Sequence, residues 1–263
     1  NVELRPTFVS LVDDTGLGED VVRQLRNHKV NTDYMLRTPD GMGTWLAVFN
    51  NDGDVCAAIS KRPDLRPLIA LLDEKGDEIF RDADSIALEL DMDKEIVKRV
   101  FAYAEKYHKS VYAVVSNMTI AVERRDFLQQ TDCFVCNRQE AGILFVEDFG
   151  DKTVEQMQQI LLQKVKSANI PRMIVTLGDV GAVYATADGE SGFCPAQPVH
   201  VRDTTGAGDA FFAGITIGLT YGKGMQDACA IGTRLAAATI CTLENVCPRF
   251  MPGEFGLEVP VTD

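Results

Sequence analysis

Histidine is scarce in this sequence: His28, His108 and His200 are the only three, and they lie far apart along 263 residues. That scarcity argues against a histidine-based metal cluster, which needs several imidazoles or thiolates converging on one ion. Basic residues are also in short supply, 26 Lys and Arg against 39 Asp and Glu for a formal charge of −13. Such a balance argues against a nucleic-acid backbone or an anionic membrane as the main partner. Long apolar runs are missing, none approaching the roughly 20 residues of a membrane span. The first residues carry no basic-then-apolar leader pattern, and a cytoplasmic protein is the expectation. Paired cysteine spacing is nearly absent too. The seven cysteines are odd in number and scattered through apolar segments, as suits reduced core thiols. Cys133 and Cys136 form a C-x-x-C, but inside the strand-like run Cys133-Phe134-Val135-Cys136 and without a second pair, so buried thiols are favoured over a redox or zinc site.

What is present is an α/β pattern of sufficient size, 46% hydrophobic, for one domain with a large core. The most informative stretch is Asp203-Thr204-Thr205-Gly206-Ala207-Gly208-Asp209-Ala210-Phe211-Phe212-Ala213-Gly214. Gly206, Ala207 and Gly208 let the backbone approach a ligand closely, and Phe211, Phe212, Ile215 and Leu219 then repeat at helical spacing. The unpaired N–H groups of a first helical turn, with the positive end of the helix dipole, would cradle a phosphate. Asp209 falls in that turn, where a carboxylate could take the proton of an alcohol attacking the phosphate. A capped helix start with Asp serving the dipole is the plainer account of a generic Gly-Ala-Gly, though it leaves the second aspartate and the threonines without a role.

This run resembles the C-terminal signature of the PfkB/ribokinase family of carbohydrate and nucleoside kinases, and it lies late in the chain as it does in that family. The resemblance implies a ribokinase-like doubly wound, mostly parallel sheet flanked by helices, with a small protruding β lid. It implies Asp209 as catalytic base and Gly206, Ala207 and Gly208 as the anion hole. ATP and Mg²⁺ would be required, and the local N–H nest with Mg²⁺ could hold an anionic nucleotide despite the acidic chain.

Taken in order, residues 7–12 read as a buried strand, followed by the turn-rich Asp13-Asp14-Thr15-Gly16-Leu17-Gly18 and a helix carrying Val21, Val22, Leu25 and Val30. The family places about one strand–helix unit with a Gly-Gly and Asn sugar-binding motif ahead of this point, and no such motif is found here. The expectation is a single kinase domain over 1–263 lacking that unit. Within 41–60, two β-rich runs flank Asn50-Asn51-Asp52-Gly53, a hairpin signal. In the resembled family this sheet is a lid over the sugar and often a homodimer surface, which makes Thr44 a substrate-side candidate. An ordinary edge hairpin, with Trp45 in the core, also fits. Residues 61–72 are broken by Pro63 and Pro67, with a short helix or strand over 68–72. Strand 86–90, helix 93–109, strand 111–115, a loop and helix to 130 and strand 133–135 then give a βαβαβ rhythm, which favours a parallel sheet with ligands beyond its strand C-terminal ends.

Polar residues fall at those ends: Glu89 and Asp91, Ser116 and Asn117, then Asn137-Arg138-Gln139-Glu140. Glu89 and Asp91 are candidates for sugar hydroxyls, or are simply solvated strand ends. Asn-x-x-Glu matches a second family motif, which implies Glu140 acting on Mg²⁺ through water and Asn137 near the phosphates. A helix capping box explains the same four residues. Helix 154–168 precedes a strand–turn–strand over 172–184, in which the family borders ATP. That implies Thr176 and Gly178 near the phosphates and Gly181 shaping the turn. A helix over 225–242, rich in small residues, ends in a loop at Asn245 resembling the edge of the adenine pocket. Asp203, Thr205 and that loop lie where several members hold a monovalent cation such as K⁺.

The expected activity is ATP-dependent phosphorylation of a sugar or nucleoside hydroxyl. Gly43 to Val48 and Val115-Ser116 also look somewhat like pseudouridine kinases, although Ala113-Val114 stands where that branch tends to have Asp-Pro. A catalytically silent sugar- or nucleotide-binding regulator is the rival of another class, against which the intact Asp209, Asn137 and Glu140 count. A dinucleotide oxidoreductase is disfavoured because no G-x-G-x-x-G opens a first βαβ unit.

Overall fold

The computed structural model of the protein describes residues 4–49, 55–116, 122, 123 and 125–255. Its contacts group into two compact units, Asn1–Arg81 with Met92–Val100, and Asp82–Asp91 with Phe101–Asp263.

The first unit begins with a short parallel pair. Strand β1 (Ser10–Val12) pairs with β2 (Met35–Arg37) around helix α1 (Gly16–Asn27). Thr15 caps α1 by accepting the N–H of Gly18, the role a hydroxyl before a helical pattern predicts. The strand expected over 7–12 is shorter than its apolar run, because Thr7 makes only an isolated bridge to Asn31. Strands β3 (Thr44–Phe49) and β4 (Val55–Lys61) form the anticipated antiparallel hairpin, whose Asn-Asp-Gly turn lies outside the described residues. Trp45 is 60% exposed and is not a core residue. Leu46 and Ile59, directly paired, are exposed as well. Where a brief element was expected, a 15-residue helix α2 runs from Pro67 to Arg81. Pro67 occupies its first position, where a missing N–H costs nothing, and so starts the helix instead of breaking it.

The second unit holds a six-stranded sheet of β5 (Ser85–Glu89), β6 (Ser110–Val114), β7 (Cys133–Asn137), β8 (Arg172–Thr176), β9 (Gly181–Thr186) and β10 (Ser191–Pro195). Their spatial order is β10-β9-β8-β7-β6-β5. The first four are mutually parallel, as the βαβ rhythm requires, while β9 runs antiparallel to β8 and β10 antiparallel to β9. The reversal is set by the turn at Gly178, with φ +66°, and by the bond from the Leu177 N–H to the Gly181 oxygen at 2.7 Å. Helix α3 (Lys94–Tyr107) starts in the first unit and ends in the second, followed by α4 (Arg125–Leu128), α5 (Arg138–Phe145), α6 (Val154–Ala168), α7 (Ala207–Thr220) and α8 (Met225–Ile240).

Strand β9 is buried at every position, the mark of a strand covered on both faces. One face is explicit: Cys133, Val135, Ile174, Ala182 and Tyr184 pack with Phe211, Ile215 and Leu219 of α7 and with Cys229 of α8. The two helices touch backbone to backbone. A Cβ on Gly214 would stand 2.5 Å from the Cα of Gly232, so the close approach depends on glycine at the crossing. Cys133 and Cys136 are buried in β7, and burial pushes the Cys133 thiol up to about 12 and raises that of Cys136 as well. Among the described residues, no three His, Cys, Asp or Glu converge as metal ligands, and no helix is long and apolar enough to cross a membrane.

Candidate active site

The carboxyl edge of the parallel strands carries the polar residues singled out by sequence. Glu89 ends β5, Ser116 lies two residues beyond β6, Asn137 ends β7 and Thr176 ends β8. Asn137 and Thr176 are direct register partners, so these two candidates stand side by side. Asn117 lies outside the described residues.

Helix α7 brings Asp209 to the same edge. Thr220, its last residue, meets Ser85, the first residue of β5, through a 2.6 Å hydroxyl–hydroxyl bond at the amino edge. Along the sheet face, a 14-residue helix spans about 21 Å and a five-residue strand about 17 Å. The start of α7 therefore lies toward the carboxyl edge, within the second unit.

That start is open. Gly206 is its N-cap, in the left-handed region at φ +80°, and no side chain caps the helix. The Ala207 N–H closes a turn onto Thr204 and the Ala210 N–H reaches Gly206, which leaves Gly208 and Asp209 among the donors a helix start cannot satisfy internally. A Cβ on Gly208 would meet nothing within 4 Å, so space lies in front of these groups. The Asp209 carboxylate is solvent-reachable and accepts no hydrogen bond among the described residues. Enough protein surrounds it that desolvation raises its pKa above the ordinary aspartate value.

The preceding loop is tied down. Asp203 accepts the Thr205 N–H at 2.8 Å, which lowers the Asp203 pKa, and the N–H of Arg202 donates to the Ile240 oxygen at the end of α8 at 2.8 Å. Beyond α8, the Asn245 carbonyl lies against Gly206, where a Cβ would be 2.2 Å from it. Asn245 is itself exposed.

Asn137 and Glu140 form the capping box that the sequence allowed. Asn137 Oδ1 accepts the Glu140 N–H at 2.8 Å, and Glu140 Oε2 accepts the Asn137 N–H at 2.7 Å. A chemical role is not thereby lost, because Glu140 Oε1 has no donor among the described residues and burial raises this half-buried carboxyl's pKa. At the β8–β9 turn, a Cβ on Gly181 would sit 2.2 Å from the Cys194 oxygen, which fixes glycine there; Gly178 beside it faces open space.

The acceptor-side candidates divide. Glu89 is engaged internally, accepting the N–H groups of Asp91 at 2.9 Å and Ser116 at 3.1 Å on Oε1, and the Ser116 hydroxyl at 2.5 Å on Oε2. Asp91 follows it within the second unit, while Thr44 is an exposed residue at the start of β3 in the first, paired with Lys61. The link from Glu89 to Ser116 escaped sequence reasoning. Its signal was that Glu89 ends one strand and Ser116 lies just past the end of its neighbour.

The pattern of the pfkB family carbohydrate kinases matches residues 2–245. A guanosine-inosine kinase of Exiguobacterium acetylicum is 32% identical over 240 residues, covering 90% of this chain and 78% of that protein. A ribokinase of Bacillus subtilis is 23% identical, covering 89% and 75%. The structure of Arabidopsis thaliana ribokinase complexed with ribose and ATP superposes with a TM-score of 0.76 at 21% identity, over 91% of this chain and 77% of that one. The chain belongs to the pfkB family of carbohydrate kinases.

Proposed function

We propose that the enzyme transfers the γ-phosphate of ATP to a hydroxyl of a sugar or nucleoside, with Asp209 as general base. The observation that carries this is the Asp209 carboxylate, unpaired among the described residues, on the uncapped first turn of α7, with open space in front of Gly208. The acceptor hydroxyl gives its proton to Asp209 as its oxygen bonds to the γ-phosphorus, and the bond from that phosphorus to the bridging oxygen of ADP breaks. Charge developing on the phosphoryl oxygens is met by the N–H groups of the Gly206, Ala207 and Gly208 turn.

Mg²⁺ fits the residues present. Glu140 offers a half-buried carboxylate with one oxygen unpaired among the described residues, which suits an ion that keeps its waters and leans on nucleotide phosphates. When bound, it supplies neutralisation of phosphate charge. Asn137, Thr176 and Gly178 are assigned to the phosphates, Gly181 to the shape of their turn and Asn245 to the nucleotide's edge. Asp203 and Thr205 are assigned to a monovalent cation, K⁺ being the test case.

Thr44, Asp91 and the hairpin over 41–60 are assigned to the acceptor side of one kinase domain acting in the cytoplasm. Identity to the guanosine-inosine kinase favours a purine nucleoside over a free sugar. The exposed Trp45, Leu46, Val48 and Ile59 support a homodimer through the hairpin, which light scattering of wild type and Ile59→Asp would test. Activity is tested by ADP release with ATP and Mg²⁺ across guanosine, inosine, adenosine, pseudouridine, ribose and fructose, with Asp209→Asn in parallel. Turnover with one acceptor that vanishes in the variant supports the reading. ATP binding with no turnover on any acceptor would turn it toward a regulator.

A further inference from the structure

Strands β5 and β6 run in register to Glu89 and Val114, and one more ladder bond follows, from the Leu90 N–H to the Val114 oxygen at 2.9 Å. Beyond that the chains part, and a side chain takes over from the ladder. The Glu89 carboxylate collects three donors, two from Ser116 and one from the Asp91 main chain, spanning both strand ends. Leu90 and Val115, which follow the two strands, are 0% and 1% exposed, so the clamp sits on a buried base.

A carboxylate is an expensive choice here. Partial burial raises its pKa against the pull of its hydrogen bonds, and the chain is already strongly acidic. What it provides is acceptor capacity on two oxygens at once, which a hydroxyl lacks and a shorter Asp could not carry as far. We propose that Glu89 is a positioning residue: its carboxylate binds the ends of β5 and β6 together and so holds Asp91 in place to receive the acceptor alcohol. It holds no substrate hydroxyl itself. The assignment of Asp91 rests on the kinase reading above, whereas the clamp does not.

Two measurements on the full-length protein separate those parts. Hydrogen exchange at the Asp91 and Ser116 amides reads the clamp without any substrate. Glu89→Ala is expected to speed both amides markedly. Glu89→Gln should stay near wild type, because its oxygen keeps the two N–H donors and its NH₂ can donate to a reoriented Ser116 hydroxyl. Unchanged exchange in Glu89→Ala would overturn the clamp, whatever the enzyme's activity. Kinetics reads the consequence. Acceptor KM should rise about tenfold in Glu89→Ala, as expected for loss of a charge-assisted hydrogen bond. ATP KM should hold, and Glu89→Gln should recover most of the loss. Ser116→Ala is expected to move acceptor KM in the same direction by less, and Glu89→Ala with Ser116→Ala should be no worse than Glu89→Ala alone. Additive effects of the two substitutions, or equal rises in both KM values, would overturn the positioning role.

Discussion

A Cβ on Gly206 would stand 2.2 Å from the main-chain oxygen of Asn245, so the turn that begins α7 and the loop that follows α8 meet where only glycine fits. Two segments some forty residues apart in sequence therefore behave as one surface. Gly206→Ala must either push the Asn245 loop away or abandon the left-handed turn, and holding alanine at φ +80° alone costs about 1–2 kcal/mol. A lower melting temperature and loss of turnover are expected together. Gly208→Ala should separate them, because its Cβ projects into open space. Thermal stability should hold or rise slightly while ATP KM increases; an unchanged ATP KM would show that this turn does not face the phosphates.

Asp209→Asn is expected to lower kcat by about 10²–10⁴-fold with ATP affinity kept. Because desolvation raises the Asp209 pKa, the rate should climb with pH through that raised value and then level off. Stability runs the opposite way. A carboxyl with a raised folded pKa binds protons more readily folded than unfolded, so its charge costs stability as pH rises through the folded value. The variant should therefore match or exceed the wild type's melting temperature near neutrality. The two should converge below about pH 3.9, where aspartate is protonated in both states. A less stable variant at pH 7 would argue that Asp209 is structural.

Glu140 can be tested for a role beyond its capping box. Gln at that position preserves the box, since it too accepts the Asn137 N–H. Glu140→Gln should melt near the wild-type temperature yet need more Mg²⁺ for half-maximal rate. Glu140→Ala should show the same Mg²⁺ shift and also lose about 1 kcal/mol of stability. Equal Mg²⁺ dependence in wild type and Glu140→Gln would reduce the motif to a helix cap.

Thiol labelling checks the core. Cys241 is exposed at the end of α8, whereas Cys133, Cys136, Cys194 and Cys229 are buried, with burial raising the pKa of Cys133, Cys136 and Cys229. At about pH 8, the exposed Cys241 should label quickly and the four buried thiols only on unfolding. Fast native labelling of Cys133 or Cys136 would revive a redox reading of the C-x-x-C.

Helix α6 shows how far local chemistry reaches. Its span from Val154 to Ala168 follows from Thr153 and Gln156 as a capping box and from Asn169, which ends the helix in the left-handed conformation. The signature turn and the run of strand ends were equally legible, because turns, caps and periodicity are written in neighbouring residues. Helix α2 was not, since Pro67 reads as a break unless the following segment is known to need a helix start. Strand β10 carries little apolar signal, and its pairing with β9 supplies what its composition does not.

The sequence by itself determined the family, the sheet's parallel half and the identity of the open helix start, since each depends on contiguous residues. Tertiary structure decided the rest. It set Asn245 against Gly206, placed Asn137 beside Thr176 and brought the start of α7 to the edge where Glu89 ends its strand. It also brought the Glu89 carboxylate onto the N–H and hydroxyl of Ser116. Those relationships join residues distant in the chain, and they exist only once the core has packed the helices on the sheet and so fixed which ends meet.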